Sequence, residues 1–135
     1  MLVYAHRVKE EAGPILYDKG DWTALKTQED IVFPGHKTTN VNLGVVIYVP
    51  KGFEIDAKIT DGMSQKYGFT QPCGEQTISS GYDKEMEIML FNPRYPVKIK
   101  KGTTVCRFRI TPTQQATWRQ KLKWIFNGIP HYKYV

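Results

Sequence analysis

The chain has 135 residues, 41% of them hydrophobic, with a net charge of +6, two cysteines and three histidines. That is enough for one domain with a real core. No apolar run approaches the roughly 18 residues of a membrane span, and the opening MLVYAHRVKEE has early charges and no apolar h-region, which reads against a secretory leader.

Cys73 and Cys106 make no disulfide framework and fit a reducing, cytoplasmic compartment, with only a single bridge between them left open. His6, His36 and His131 are scattered singly, without zinc-ligand spacing, so neither metal nor cofactor is expected.

In chain order, alternating apolar residues dominate. VNLGVVIYVP puts Val41, Leu43, Val45, Ile47 and Val49 on one face, and FEIDAKIT repeats the pattern with Phe53, Ile55, Ala57 and Ile59. A strand follows Tyr82, with Met86, Ile88 and Leu90 alternating against Glu87, Met89 and Phe91. Val97 and Ile99 precede a turn at Gly102; beyond it Val105 is out of step with Phe108 and Ile110, a phase change that predicts a bulge or strand end. Turn residues punctuate these runs at Pro34-Gly35, Pro50-Lys51-Gly52, Asp61-Gly62, Asn92-Pro93 and Lys101-Gly102. Strands at this spacing, with no helical pattern between them, predict an antiparallel sandwich or barrel.

Only the end differs, and it divides the chain into a β domain over 1–112 and a basic-aromatic helix and tail over 113–135. Thr113 is the expected cap of a helix from Gln114, with Trp118, Leu122 and Ile125 on one face and Asn127-Gly128 as the stop. That stripe is expected to dock on the domain or on a partner. Trp118, Arg119, Lys121, Lys123, Trp124 and Phe126 form a basic-aromatic set suited to a macromolecular partner, either an acidic protein or a nucleic acid, and no membrane partner is expected. The charge distribution agrees: residues 1–87 hold 9 Lys/Arg and 13 Asp/Glu, whereas residues 88–135 hold 10 Lys/Arg and no acid. Such asymmetry implies a negatively charged partner or a solvated basic face.

The order of these pieces resembles the trimeric dUTPase family, which also contains dCTP deaminases and noncatalytic viral relatives. The resemblance runs from about Gly20 to Pro112. It is carried by EDIVFPG, NLGVVIYVPKGFEIDAKI, the ungapped DGMSQKYGFTQPCGEQTISSGYDKEMEIMLFN, and YPVKIKKGTTVCRFRI. It implies an all-β jelly-roll or β-clip sandwich, with the short C-terminal helix appended, assembled as a homotrimer.

Position by position, the resemblance also implies that the chemistry is missing. The acid of the first motif falls on Ala24, with Asp21 nearby. The Arg-Ser-Gly of the second becomes Thr60-Asp61-Gly62. The water-activating Asp of the third becomes Ser79, and the Gln of the fourth becomes Arg107. A deaminase's catalytic Glu would fall on Met89. Tyr82, at the position of the aromatic that packs on the deoxyribose, and Glu85 survive. With Gly62 and Arg107 they are the residual nucleotide-pocket candidates. A serine hydroxyl cannot replace a carboxylate as general base near neutral pH, and losing the base costs about 10²–10⁴-fold in rate.

The expectation is therefore a noncatalytic binding protein, a viral or phage regulator working in the host cytoplasm. A particle component built from trimers is one alternative. An active nucleotidohydrolase with displaced acids (Asp21, Asp61 or Asp83) is the other.

Overall fold

The computed structural model describes residues 1–10, 12 and 22–135. Asp21 lies outside the described residues.

The strands follow the alternation. They are β1 (Leu2–Arg7), β2 (Thr23–Lys26), β3 (Ile31–Phe33), β4 (Lys37–Asn42), β5 (Val45–Tyr48) and β6 (Phe53–Ile59). Helix α1 (Asp61–Tyr67) comes next, then β7 (Gln76–Ser79), β8 (Glu87–Asn92), β9 (Val97–Ile99) and β10 (Thr104–Pro112). Helix α2 (Trp118–Asn127) and β11 (His131–Tyr134) complete the described elements.

The largest sheet runs β2-β10-β6-β7. A second runs β11-β1-β5, and β3-β9 and β4-β8 form two-stranded ribbons. One core joins them: Val41, Leu43, Val45, Ile47, Phe53, Ile55, Ala57, Met86, Ile88 and Leu90 are all buried, the inward set that the alternation selects. The expected phase change in β10 is a register shift against β2 between Thr104 and Cys106. It lets Val105 and Cys106 both point inward, each fully buried.

Three sequence expectations fail. Asp61-Gly62 is no turn but the first residues of α1. Thr60 has the extended backbone of an N-cap, and Gly68, at φ +72°, closes the helix in the left-handed conformation that glycine adopts without steric cost. A helix of 7 residues is too short to declare an apolar period; only Met63 of it is buried.

Second, α2 begins at Trp118, not Gln114. Its cap is Thr117, whose hydroxyl accepts from the Gln120 amide while the Gln120 side chain accepts from the Thr117 amide. Thr113 instead holds the preceding loop, donating its hydroxyl to the Gly52 carbonyl at 3.3 Å.

Third, the strands are not all antiparallel and do not end before Thr113. β11 runs parallel to β1, pairing Leu2 with His131 and Tyr4 with Lys133. A four-residue strand with mostly exposed side chains has no alternation to read. It is specified by its neighbour: Tyr132 packs edge-on against Phe108 with ring centres 6.4 Å apart, and its hydroxyl lies 3.3 Å from Thr23 Oγ1.

Candidate functional site

The first candidate region is the hairpin between β7 and β8. The Gln76 side chain accepts from the Met89 amide at 3.0 Å, which ties the two strands where backbone pairing is absent. The turn between them folds on itself: the Tyr82 amide donates to the Ser79 carbonyl at 3.3 Å, and the Tyr82 hydroxyl donates to the Glu85 carbonyl at 3.4 Å. The result is an open cavity of about 480 Å³ lined by residues of β7, Ser80, Tyr82 and Glu87. A second hollow, of about 370 Å³, shares Ser79 and Ser80 and extends to Thr117 and Gln120 of α2. Burial holds the Tyr82 hydroxyl above its usual pKa, with the Glu87 and Asp83 carboxylates adding to the effect. Tyr82 is therefore a neutral donor and a packing face, not a base.

Of these residues, Ser79 is exposed beside the cavity and brings only a hydroxyl. Glu87 is the one carboxylate among the described lining residues of the larger cavity. Glu85 stands at its edge through its backbone carbonyl, and Met89, half-buried, has no proton to give.

The second region lies at the other end of β6. Arg107 on β10 reaches the first turn of α1, its Nη2 3.3 Å from Asp61 Oδ1. Its side chain is 11% exposed and that of Asp61 65%, so the pair is one sequestered cation leaning on a solvated acid. Gly62 follows with open space where a side chain would project. Ala24, on β2, pairs with Arg107 and is buried, so the strand position opposite Arg107 carries a methyl group.

Sequence reasoning missed the neighbours of Arg107. The Trp22 ring carries Lys58 at 4.8 Å, Arg109 at 4.8 Å and Arg107 at 5.3 Å. The signal was available: Lys58, Arg107 and Arg109 are the outward positions of β6 and β10, with Lys58 directly opposite Arg107. The Nε atoms of Arg107 and Arg109 are buried without a hydrogen-bond partner among the described residues.

These two regions are not one pocket. Ser79 pairs with Glu54, whereas Arg107 pairs with Lys58. Four residues of extended strand separate the two rungs by about 13 Å. Tyr82 and Glu85 are therefore brought together, as are Gly62 and Arg107, but the two pairs are not. Of the displaced acids considered above, Asp61 is committed to Arg107 and Asp83 is exposed on the hairpin turn.

The third region is α2. Gln120 donates to the Lys51 carbonyl at 2.8 Å, and Trp124 Nε1 donates to the Ile110 carbonyl at 2.9 Å. Gly52 (φ +87°) allows this approach, since a β-carbon there would collide with the Gln120 side chain. Trp124 is thus the residue that docks. Trp118, Leu122 and Ile125, the expected docking stripe, are exposed together with Phe126. Arg119 and Lys123 are exposed and Lys121 is half-buried, with Lys121 Nζ 5.9 Å from the Trp118 ring centre.

No family model matches the chain. Individual relatives do. The SPbeta prophage-derived deoxyuridine 5'-triphosphate nucleotidohydrolase YosS of Bacillus subtilis is 30% identical over 96 residues, covering 69% of this chain and 67% of that protein. The corresponding nucleotidohydrolase of the Wolbachia strain from Drosophila simulans is 35% identical over 79 residues, covering 58% of this chain and 52% of its own. Against three of the Wolbachia relatives the chain spans about half of their length. Among solved structures, the dUTPase of Staphylococcus bacteriophage 80alpha superposes with a TM-score of 0.75 at 14% identity, over 87% of this chain and 94% of that one. The Streptococcus mutans dUTPase gives 0.74, over 84% and 98%. The fold is that of the dUTPases, and the chain belongs to the deoxyuridine 5'-triphosphate nucleotidohydrolase family.

Proposed function

We propose that this chain is a noncatalytic member of the dUTPase family that works by binding. The carrying observation is Ser79: the position of the family's water-activating acid holds a hydroxyl, beside a cavity whose one described carboxylate, Glu87, belongs to the next strand. Ala24 and Thr60 extend the loss to the other acid and to the phosphate-binding Arg. The Arg107–Asp61 pair places a carboxylate against the cation that would otherwise face phosphate. The binding surface is α2 with Trp118, Arg119, Lys121, Lys123 and Phe126, and the partner it suits carries negative charge. A phage origin fits the prophage-derived relative and the phage structural neighbours. A homotrimer fits the division of the nucleotide-pocket candidates, because a second copy could bring a Tyr82 hairpin to an Arg107 end.

The test is turnover of dUTP, with magnesium, by the full chain. The expected result is no pyrophosphate above background. A turnover number of about 1 s⁻¹ or more, within the ordinary enzyme range, would overturn the reading. It would establish instead the second one, an active nucleotidohydrolase with displaced acids, which the activity carried in the relatives' names favours.

A further inference from the structure

Helix α2 presents two faces of opposite character. At about 100° per residue, Trp118, Leu122, Ile125 and Phe126 fall within an arc of about 100°. Gln120 and Trp124, the two residues that hold the helix to the body, point the other way. The apolar arc therefore faces straight out, with Trp118 78%, Ile125 63% and Phe126 83% exposed. Lys121 borders it on one side, and Arg119 and Lys123 on the other. No acid occurs anywhere after Glu87. Just beyond the helix, Ile129 adds another half-exposed apolar side chain.

We infer that α2 is an interfacial helix that lays this arc onto a bilayer surface carrying anionic headgroups. The helix is already folded, capped and docked, so binding need not order its backbone. Aromatic residues stand at the first and last positions of this apolar set along the helix axis, and the cations stand at the borders of the arc, at headgroup depth. The arc offers no carboxylate, amide or hydroxyl to fix register against a shaped partner. That suits a laterally featureless surface better than a groove. Nucleic acid would use the cations and the aromatics but would leave Leu122 and Ile125 in water. This inference rests on the proposed function only in taking α2 as the contact surface; the absence of catalysis does not enter it.

The test uses the full chain and two vesicle preparations, pure phosphatidylcholine and an equal mixture with phosphatidylglycerol, read by co-sedimentation and tryptophan emission. Binding to the anionic vesicles alone is expected, with a blue shift that disappears in Trp118→Phe. The double variant Leu122→Glu, Ile125→Glu should lose binding while keeping the wild-type melting temperature, since both positions are exposed. The triple variant Arg119→Gln, Lys121→Gln, Lys123→Gln should weaken it about hundredfold, at roughly 1 kcal/mol per cation near an anionic surface. Absence of vesicle binding, or equal binding to both preparations, overturns the inference. Two parallel arms, duplex DNA retention and sedimentation of the protein alone, locate the failure. If the double variant changes either of these while vesicles are ignored, α2 contacts nucleic acid or a second copy, and only the bilayer is refuted. If the variants match wild type in every arm, α2 as a contact surface falls as well.

Discussion

Replacing Trp124 should separate the tryptophan that builds the molecule from the one that does not. β10 is paired with β6 through Pro112, but its pairing with β2 ends at Phe108. The edge beyond is covered by α2, with Trp124 Nε1 donating to the Ile110 carbonyl at 2.9 Å. Trp124→Phe keeps most of the ring and removes that donor, a loss of about 1 kcal/mol. Trp124→Ala also removes the ring. Full burial would make that about 3–5 kcal/mol; for a half-buried side chain the figure is about 2, giving about 3 kcal/mol with the hydrogen bond. Trp118→Ala serves as the control. It changes helix propensity equally but removes an exposed ring, so its effect should stay within about 0.5 kcal/mol. Urea denaturation followed by circular dichroism measures all three. Trp124→Ala should be far less stable than Trp124→Phe, and Trp118→Ala should stay near wild type. If Trp118→Ala costs as much as Trp124→Ala, the helix is docked by the other face and the reasoning about its exposed arc fails too.

Other consequences are as direct. Truncation after Gly128 removes β11 from beside β1 and uncovers Val3 and Ala5, both fully buried; the melting temperature should fall by roughly ten degrees, at about 4 °C per kcal/mol for a chain of this size. Burial pushes the Cys106 thiol up to about 12, whereas Cys73 is exposed, so a thiol reagent at pH 8 should label one equivalent in the native protein and two in denaturant. The Lys101 amide, donating at 2.8 Å, holds the Asp30 carboxyl below its usual pKa, with Lys98 assisting. Its stabilising effect is then present above the unfolded carboxylate pKa of about 4 and is lost as pH falls through the lower folded value. Asp30→Asn should flatten the melting-temperature profile there and leave it unchanged in shape near pH 7. Calorimetry should find that deoxyuridine binds no worse than dUTP, because the Arg107 guanidinium is already paired with Asp61 and is not free for phosphate; a tenfold preference for the triphosphate would point to Arg107 released from its ion pair.

Much of the fold was legible because its core strands are half-buried. Residues 41–49 and 53–59 alternate cleanly, and the buried side chains reproduce that alternation; even the β10 bulge was written as a phase change. What could not be read has a common cause: tertiary partners, not local pattern, specify it. α1 has one buried residue and no period. β11 exists because β1 offers an unpaired edge and Phe108 a ring to pack on. The stripe Trp118, Leu122, Ile125 has the spacing of a docking face, but spacing only groups residues on a side of a helix. Which side turns inward was decided by the Ile110 carbonyl, an acceptor invisible in sequence, and by a glycine at position 52 that lets Gln120 approach.

The candidate site divides the same way. The resemblance aligned Tyr82, Glu85, Gly62 and Arg107 as parts of one pocket, and the backbone register sets them at two ends of β6. Sequence order cannot distinguish a pocket within one chain from a pocket shared between copies; strand pairing can. Among the described residues, the hairpin cavity is lined by no cation, and the Arg107 end gathers three cations around Trp22 at a distance from Tyr82. Assembly could bring the two ends together, yet every copy would still present the Ser79 hydroxyl, not a carboxylate, at that position of the hairpin. Sedimentation and turnover therefore test separate things. A trimer without turnover is the outcome in which the architecture of the family is kept and its chemistry is not; a trimer with turnover would require an acid from elsewhere, and Glu87, the carboxylate already lining the cavity, is the residue whose replacement by Gln should then abolish it.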